Sequence, residues 1–315
     1  MGAQTLSSRA IIGEFYRALE QEDGSGMLSA ISMLFTSDQD GEDYKWLGQA
    51  PQMQEWIGGR NAKGFRENGL RIDNKHFEST IEVLVRDLRR DKTGQVMLRI
   101  QELAARTSSH WLSLISALLV NGESNVCYDG QYFFDTDHSE GDSGVQSNDI
   151  SVDISTLPAE VHGVVAAPSK EEMQQSIFKG ITQMAGFLDD QGEPMNETAQ
   201  NYLVIVPTSL AITAHNAVVM ARDSGPGAAE LLPTNLSVSV AQNARLSAWT
   251  DKFAVMRTDG RVKPFIRQQE TGVMLKAKAE GSEFEFDNDA HQYGVDAWRN
   301  VGYGYWQHAC LVTMI

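Results

Sequence analysis

The stretch GQVMLRIQELAARTSSHWLSLISALLV, residues 94 to 120, carries the longest helical pattern in the sequence. Apolar side chains recur along it at intervals of three and four, which places them on one face of an α-helix. They are Val96, Met97, Ile100, Leu103, Ala104, Trp111, Leu114, Ile115 and Leu118. Asn121-Gly122 is a suitable C-terminal end for this helix. A helix of about 26 residues reaches roughly 39 Å. That length is unusual for a compact domain and predicts a strut.

The residues before this helix, 46 to 92, predict an extended ribbon. Their second part, NAKGFRENGLRIDNKHFESTIEVLVRDLRRD at 61–91, alternates as strands do around Asn68-Gly69 and Asp73-Asn74. Isolated two-stranded ribbons are marginally stable in water. We therefore expect this ribbon to pack against another surface, in its own chain or in a neighbouring subunit.

The N-terminal segment predicts an arm. Residues 7–20, SSRAIIGEFYRALE, have the spacing of a short amphipathic helix with Ser7 or Ser8 as its N-cap. A break and an acidic turn follow within the next 25 or so residues. Its apolar face must therefore find a core elsewhere.

The segment after the long helix alternates between helical and strand patterns. Residues 125–138 predict a strand pair, and residues 169–190 predict a helix whose Ser169 and Glu172 form a capping box. A buried strand at 201–207 and a second helix at 208–223 follow, which indicates a small α/β unit. Strand patterns with frequent turns continue from there to the end of the chain.

The composition is that of a folded globular protein, with 42% apolar and 22% charged residues in a chain of 315. A formal net charge of -16 disfavours attraction to DNA backbones and to anionic membranes. Two cysteines outside any CxxC pair favour a reducing cytoplasm. The N-terminus lacks an apolar signal core, and no apolar run is long enough to span a bilayer. We expect a soluble intracellular protein.

The stretch DTDHSEGDSG, residues 135–144, is the one that resembles an active site or a metal site. Its last four residues match the nucleophile string of trypsin-like proteases, but no His in the setting of that fold accompanies them. Asp135 and Asp137 suit the first two ligand positions of a calcium loop, yet Gln146 stands where the bidentate Glu belongs. We expect an exposed or mobile loop. A metal-assisted hydrolase that uses the Asp135 to Asp142 loop stays as an alternative.

The remaining candidate residues form no site in the sequence. Gly302-Tyr303-Gly304 lacks the third glycine of a dinucleotide site, and Asp189-Asp190 is typical of a solvated helix end. The other histidines show no metal-ligand spacing; they are His76, His110, His162, His215, His291 and His308. We therefore predict no catalytic residue, no cofactor-binding residue, no metal ligand and no cofactor, and we do not expect an enzyme.

Four segments together resemble the major head protein of Mu-like bacteriophages and prophages, a branch of the tailed-phage capsid proteins with the Hong Kong 97-like fold. They are YKWLGQAPQMQEWIGGR (44–60), NKHFESTIEV (74–83), YDGQYFFDTDH (128–138) and FDNDAHQYGVDAWRNVGYGYWQHA (286–309). The resemblance covers nearly the whole chain and implies an α+β fold.

The resemblance also implies an order of parts. The N-arm would be 1–45, the E-loop region 46–92, the P domain 93–150 with its spine helix at 93–121, the A domain 151–280, and the C-terminal strand, returning mainly to the P domain, 281–315. In capsids of this fold the arm and the E-loop lie across neighbouring subunits, which would bury their apolar faces.

The implied function is that of a major capsid protein. Copies would assemble as pentamers and hexamers into an icosahedral shell that encloses double-stranded DNA without sequence-specific binding. Scaffold and portal proteins are the implied partners and a membrane is not. The implied location is the virion, assembled in the bacterial host cytoplasm. Another virion protein, such as a tube or decoration protein, is the alternative; covalent cross-linking and maturation cleavage stay open.

Overall fold

A computed structural model describes residues 7–22, 26–45, 47, 69–90, 94–222 and 235–315. Its helices are α1 (Ser8–Glu22), α2 (Gly26–Ile31), α3 (Val85–Arg90), α4 (Gln95–Val120), α5 (Lys170–Ala185), α6 (Ala211–Arg222) and α7 (Glu283–Asn288). Its strands are β1 (Ser32–Thr36), β2 (Gly41–Tyr44), β3 (Leu70–Asp73), β4 (Lys75–Leu84), β5 (His138–Ser139), β6 (Val145–Gln146), β7 (Asp149–Val152), β8 (Asn201–Val206), β9 (Ser237–Gln242), β10 (Lys252–Arg257), β11 (Phe265–Lys278), β12 (Ala290–Tyr303) and β13 (Ala309–Met314). This mixture confirms the predicted α+β class.

One sheet has four strands in the order β1-β11-β12-β4. β11 and β12 have 14 residues each and pair antiparallel, and β4 pairs antiparallel with the other side of β12. Along β12 the side chains of Tyr293, Val295 and Ala297 are buried, whereas Trp298 on the opposite face is exposed. This period of two is typical of a sheet that is covered on one face.

The N-terminal helix α1 and the first half of α4 cover that face. Phe15 of α1 is fully buried and belongs to one apolar cluster with Ile100 and Tyr293. Gln101 Nε2 of α4 also donates a hydrogen bond to Glu14 Oε1 at 2.5 Å. The expectation that a neighbouring subunit buries the apolar face of the arm is therefore wrong for α1, because the chain's own spine helix and sheet bury it.

The second sheet has five strands in the order β7-β13-β10-β8-β9. α5 packs against it so closely that a Cβ on Gly180 would lie 3.0 Å from the side chains of Val255 and Val312. The capping box of Ser169 and Glu172 begins this helix as predicted. The last strand, β13, lies inside this sheet, parallel to β7 and antiparallel to β10.

The long helix α4 joins the two sheets. It has 26 residues and ends at Asn121, as the sequence predicts. Ile100 in its first half packs with α1 and the four-stranded sheet. Ile115 and Leu119 in its second half belong to the core of the five-stranded sheet. Because one continuous helix contributes to both cores, it sets their relative position and acts as the predicted strut.

Two local predictions are wrong. Residues 125–138 form turns with one isolated bridge between Val126 and Tyr132, and not a strand pair. β3 and β4 do form, but they diverge, because β3 pairs with β2 and β4 pairs with β12. Residue 46, residues 48–68 and residues 91–92 of the predicted E-loop region lie outside the described residues. Among the helices that are described, none is long and apolar enough to cross a membrane.

Candidate functional site

His138, in the stretch 135–144, is the centre of a buried network of polar side chains. Its side chain is fully buried and stacks on Trp306, with ring centroids 4.0 Å and planes 8° apart. Nδ1 lies 2.6 Å from Asp129 Oδ2, and Nε2 lies 3.2 Å from Asn148 Oδ1. Both ring nitrogens thus face oxygen acceptors.

The backbone fixes the orientation of Asn148. Asn148 Oδ1 accepts the backbone N–H of Asp135 at 2.9 Å, and Nδ2 donates to the carbonyl of Phe133 at 2.8 Å. Exchanging the amide oxygen and nitrogen would break both bonds. Oδ1 therefore faces Nε2 of the imidazole, while the Asp129 carboxylate faces Nδ1.

Cys127 completes the network. Its Sγ donates a hydrogen bond to Asp129 Oδ1 at 2.9 Å. Burial works to raise the pKa of Asp129, but hydrogen bonds from His138 and Cys127 outweigh it and hold that pKa below its usual range. Burial, together with the charge of Asp129, raises the pKa of the Cys127 thiol well above its usual value. The thiol therefore stays protonated at neutral pH.

These three side chains are the group, within the described parts of the chain, that could hold a metal ion, with ligand atoms within 4.8 Å of one another. Zinc would require Cys127 as a thiolate and His138 as a neutral imidazole. The hydrogen bond to Asp129 and the raised pKa of Cys127 keep a proton on the sulfur. The arrangement therefore favours a hydrogen-bonded structural network over a metal site. Sequence reasoning missed this network.

The acidic residues of the Asp135 to Asp142 loop, the alternative metal site, serve other contacts. Asp135 Oδ2 accepts the backbone N–H of Tyr132 at 3.1 Å, which closes a turn. A hydrogen bond with Asp135, together with burial, holds the pKa of Asp137 above its usual range. Asp142 donates its backbone N–H to the carbonyl of Asp190 at 3.1 Å. Of the stretch 135–144, His138 alone belongs to the group that could hold a metal.

Ser143 lacks the surroundings of a nucleophile. It is 6% exposed, its hydroxyl accepts the backbone N–H of Glu140 at 3.0 Å, and it donates to the carbonyl of Gly144 at 2.9 Å. Gly141 has φ 52°, and a Cβ there would lie 2.2 Å from the carbonyl oxygen of Asp190. The expectation of an exposed, mobile loop is thus wrong for Glu140 and Ser143, which are buried in a tight hairpin between β5 and β6.

The other histidines have separate partners. His308 Nδ1 lies 3.0 Å from the carbonyl of Val262, and His162 Nδ1 lies 2.9 Å from a carboxylate oxygen of Glu172. His76 stacks on Trp298 and lies 3.2 Å from Asp296; His291 lies 3.2 Å from Glu285. His110 contacts Phe77, and His215 is exposed on α6. The structure does not bring them together.

The Gly302-Tyr303-Gly304 segment serves close packing. A Cβ on Gly302 would lie 2.3 Å from the side chain of Ile72, and Gly304 donates its N–H to the carbonyl of Pro264 at 2.7 Å. The ring of Tyr303 between them stacks on Phe133 at 4.4 Å. The glycines let the end of β12 approach its neighbours, and their contacts leave no room for a phosphate.

A family comparison covers most of the chain. The profile of the family described as Mu-like prophage major head subunit gpT matches residues 7–157 and 232–314. These ranges include strands of both large sheets and the whole of α4. The unmatched residues, 158–231, contain α5, β8 and α6.

Two curated proteins are similar to part of the chain. The Mu-like prophage FluMu major head subunit of Haemophilus influenzae is 38% identical over 109 residues, which are 35% of this chain and 35% of that protein. The major capsid protein of Escherichia phage Mu is 34% identical over 117 residues, which are 37% of this chain and 38% of that protein. The matched segments thus span little more than a third of the length of these relatives.

A solved structure extends the likeness to the fold. The chain of the bacteriophage JBD30 procapsid aligns with a TM-score of 0.56 and 23% identity, over 98% of this chain and 76% of that chain. The virus-like particle of Pyrococcus furiosus aligns with a TM-score of 0.53 at 8% identity, over 96% of this chain and 98% of that chain. At such identities the likeness concerns the arrangement of helices and strands.

Proposed function

This chain belongs to the family of the Mu-like prophage major head subunit gpT, and from that membership we propose that many copies of it assemble into an icosahedral phage head. The observation that carries the proposal is the family match over residues 7–157 and 232–314. The fold, which is that of the Hong Kong 97-like capsid proteins, supports it. Pentamers and hexamers are the proposed building units.

The strand pairing supports a modified division of the chain. The family resemblance places the A domain at 151–280 and assigns the C-terminal strand, residues 281–315, mainly to the P domain. However, β11 pairs with β12 in the four-stranded sheet, and β13 pairs with β10 in the five-stranded sheet. We propose that the P domain comprises α4 and the four-stranded sheet, and that the A domain comprises α5, α6 and the five-stranded sheet. The N-arm, residues 1–45, and the E-loop region, residues 46–92, stay as proposed segments, and each contributes one strand, β1 and β4, to the sheet of the P domain.

The remaining partners follow from this role. The shell would enclose double-stranded DNA, and a net charge of -16 would limit tight binding to it. Scaffold and portal proteins would join during assembly in the bacterial host cytoplasm, and the finished protein would reside in the virion. The family is one of structural head subunits, and we propose that this chain has no enzymatic activity.

Negative-stain electron microscopy of the purified chain, alone and with its scaffold protein, tests the proposal. We expect closed shells or capsomer-like rings of five and six subunits. Stacked rings or isolated trimers would instead indicate a tube or decoration protein. Persistent monomers under all assembly conditions would contradict the proposed function.

A further inference from the structure

Arg299 is a buried cation on the inner face of the four-stranded sheet. Its side chain projects from β12 towards α4, and the residue is 4% exposed. Its Nη2 donates to the backbone carbonyl of Thr107 at 3.0 Å, and its Cζ lies 4.8 Å from the ring centroid of Trp111. Its Nε is buried and has no hydrogen-bond partner.

No carboxylate neutralises Arg299 among the residues that the structure describes. Glu20 and Glu78 line the spaces on its two sides without forming an ion pair with it. The nearby His110 does not help, because burial and the charge of Arg299 lower its pKa to about 4 and keep it neutral. Burial also lowers the pKa of Arg299 to about 10. A buried charge without a counter-ion is destabilising.

Arg299 lies at the floor of an open cleft of about 890 Å³. α1 and the start of α2 form one wall, the middle of α4 forms the other, and β11 closes the floor. Trp111 and Leu112 supply apolar surface, and Ser108 and Ser109 stand on the wall formed by α4. The space is large enough to admit the side chains of another polypeptide segment.

The guanidinium of Arg299 favours a carboxylate as the group that enters the cleft. A guanidinium presents parallel N–H donors that match the two oxygens of an aspartate or glutamate, and such charge-assisted bonds are stronger in a desolvated site. The chain itself has 42 acidic and 26 basic residues, so a second copy brings an excess of carboxylates to any contact. A DNA phosphate is disfavoured because the same acidic surface repels it.

We propose that Arg299 receives an aspartate or glutamate side chain from a second copy of this chain, which enters the cleft during assembly. The proposal rests on the proposed function, since the second copy is a neighbour in the shell. In the free subunit the unpaired guanidinium is destabilising, and in the shell the carboxylate removes that cost. The pair therefore couples correct contact between subunits to the stability of each subunit.

Arg299→Met tests the proposal, because methionine fills similar space without a charge. We expect the unassembled variant to unfold at the wild-type temperature or a few degrees higher. The critical concentration for shell formation, measured by light scattering and electron microscopy, should rise about 30-fold or more, as for a truncated buried charge pair at an interface. Arg245→Met is the matched control, because Arg245 is exposed outside the cleft; both quantities should stay at wild-type values. Arg299→Met shells at the wild-type concentration would overturn the proposal.

A cross-linking experiment decides the matter even if Arg299→Met fails to fold. Cys127 and Cys310 are buried, so a thiol-reactive benzophenone will label Ser109→Cys on the cleft wall selectively. Subunits with ¹⁴N and ¹⁵N are mixed, assembled and irradiated. We expect mixed-isotope cross-links to peptides that contain aspartate or glutamate, in shells and not in free subunits.

Other cross-linking results would overturn the proposal: links within one chain alone, including links to residues 22–25, links to DNA or to a different protein, or no links. Failure of the proposed function looks different, because the unaltered chain then forms no shells at all. That result would overturn both proposals, whereas normal shells without mixed-isotope links would overturn the carboxylate contact alone.

Discussion

The buried contact between His138 and Asp129 allows a direct test at the level of single residues. Their side chains are 0% and 1% exposed, and Nδ1 lies 2.6 Å from Asp129 Oδ2. His138→Phe keeps a ring against Trp306 but leaves the Asp129 carboxylate buried without this hydrogen bond. We expect the free energy of unfolding of the unassembled subunit to fall by about 3 kcal/mol or more, measured by urea denaturation.

His76→Phe is the matched control for that change. His76 also pairs with a carboxylate, Asp296, and also stacks on a tryptophan, but its side chain is 44% exposed. Solvent screens an exposed pair, so the loss should stay below about 1 kcal/mol. Similar losses for both variants would show that burial of the His138 pair is not what stabilises this region.

His308 predicts a pH dependence of stability. Burial, with the charge of Arg257, lowers its pKa to about 4. Above about pH 6.5 the residue is neutral in both states; between about 6.5 and 4 the unfolded chain binds a proton that the folded chain does not. The free energy of unfolding should therefore fall by about 3 kcal/mol as the pH falls through this range. His308→Gln, which can still donate to Val262, should flatten that part of the curve.

The exposed His215 on α6 provides the control for this pH experiment. His215→Gln should leave the slope between about pH 6.5 and 4 unchanged, since its side chain is exposed and outside the buried surroundings of His308. A slope that survives His308→Gln would assign the acid sensitivity to other groups. Both measurements use urea unfolding of the unassembled subunit at a series of pH values.

Single residues also show where sequence reasoning reaches its limit. The capping box of Ser169 and Glu172 was predictable, because both partners lie within one helical turn. The role of His138 was not, because its stacking partner Trp306 lies 168 residues further along the chain. The same stretch therefore looked like an exposed loop until the distant residues were placed beside it.

At the level of elements, α4 should be sensitive to changes at its buried face. Leu103 is 6% exposed and packs in the cluster of α1 and the four-stranded sheet, whereas Leu98 of the same helix is 61% exposed. Leu103→Ala should lower the free energy of unfolding by about 3 kcal/mol, because it leaves a cavity. Leu98→Ala should change it by less than about 0.5 kcal/mol. Equal effects, measured by urea denaturation, would contradict the assigned inner face.

The elements that the sequence predicted well are those with a local signal. The period of three to four residues identified α4, the capping box identified α5, and Ser7 and Ser8 marked the start of α1. The partners of β3 and β4 had no such signal. β4 pairs with β12, so Lys75 stands opposite Arg299, and Ile72 of β3 packs under Gly302. Pairing between distant strands depends on tertiary packing, which a single sequence does not display.

At the level of the whole molecule, the acidic charge and the two cores are compatible with the proposed role as a shell subunit. One continuous helix contributes to the cores of both sheets, and a net charge of -16 disfavours attraction to DNA backbones. Self-repulsion between such subunits must be offset at specific contacts. Positions where a buried cation meets an acidic neighbour, as proposed for Arg299, are one way to offset it.

The E-loop region offers the decisive test of this assembly. Tyr44 at the end of β2 pairs with Leu70 at the start of β3, so the chain leaves and re-enters the sheets at one point. Ile72 is 4% exposed, which makes a deletion that reaches β3 unsafe for folding. Deleting residues 61–66 keeps the paired strands β2 and β3 intact and should leave the thermal unfolding temperature of the subunit within about 2 °C.

Closed shells should nevertheless disappear from electron micrographs of this deletion variant, because the family resemblance assigns these residues to contacts between subunits. Replacing residues 61–66 with six Gly and Ser residues is the matched control for loop length. If the side chains make the contacts, this replacement should also abolish closed shells while the subunit stays folded. Normal shells from the replacement alone would show that loop length suffices, whereas normal shells from the deletion variant would show that the ribbon is dispensable for assembly and that the E-loop assignment is wrong.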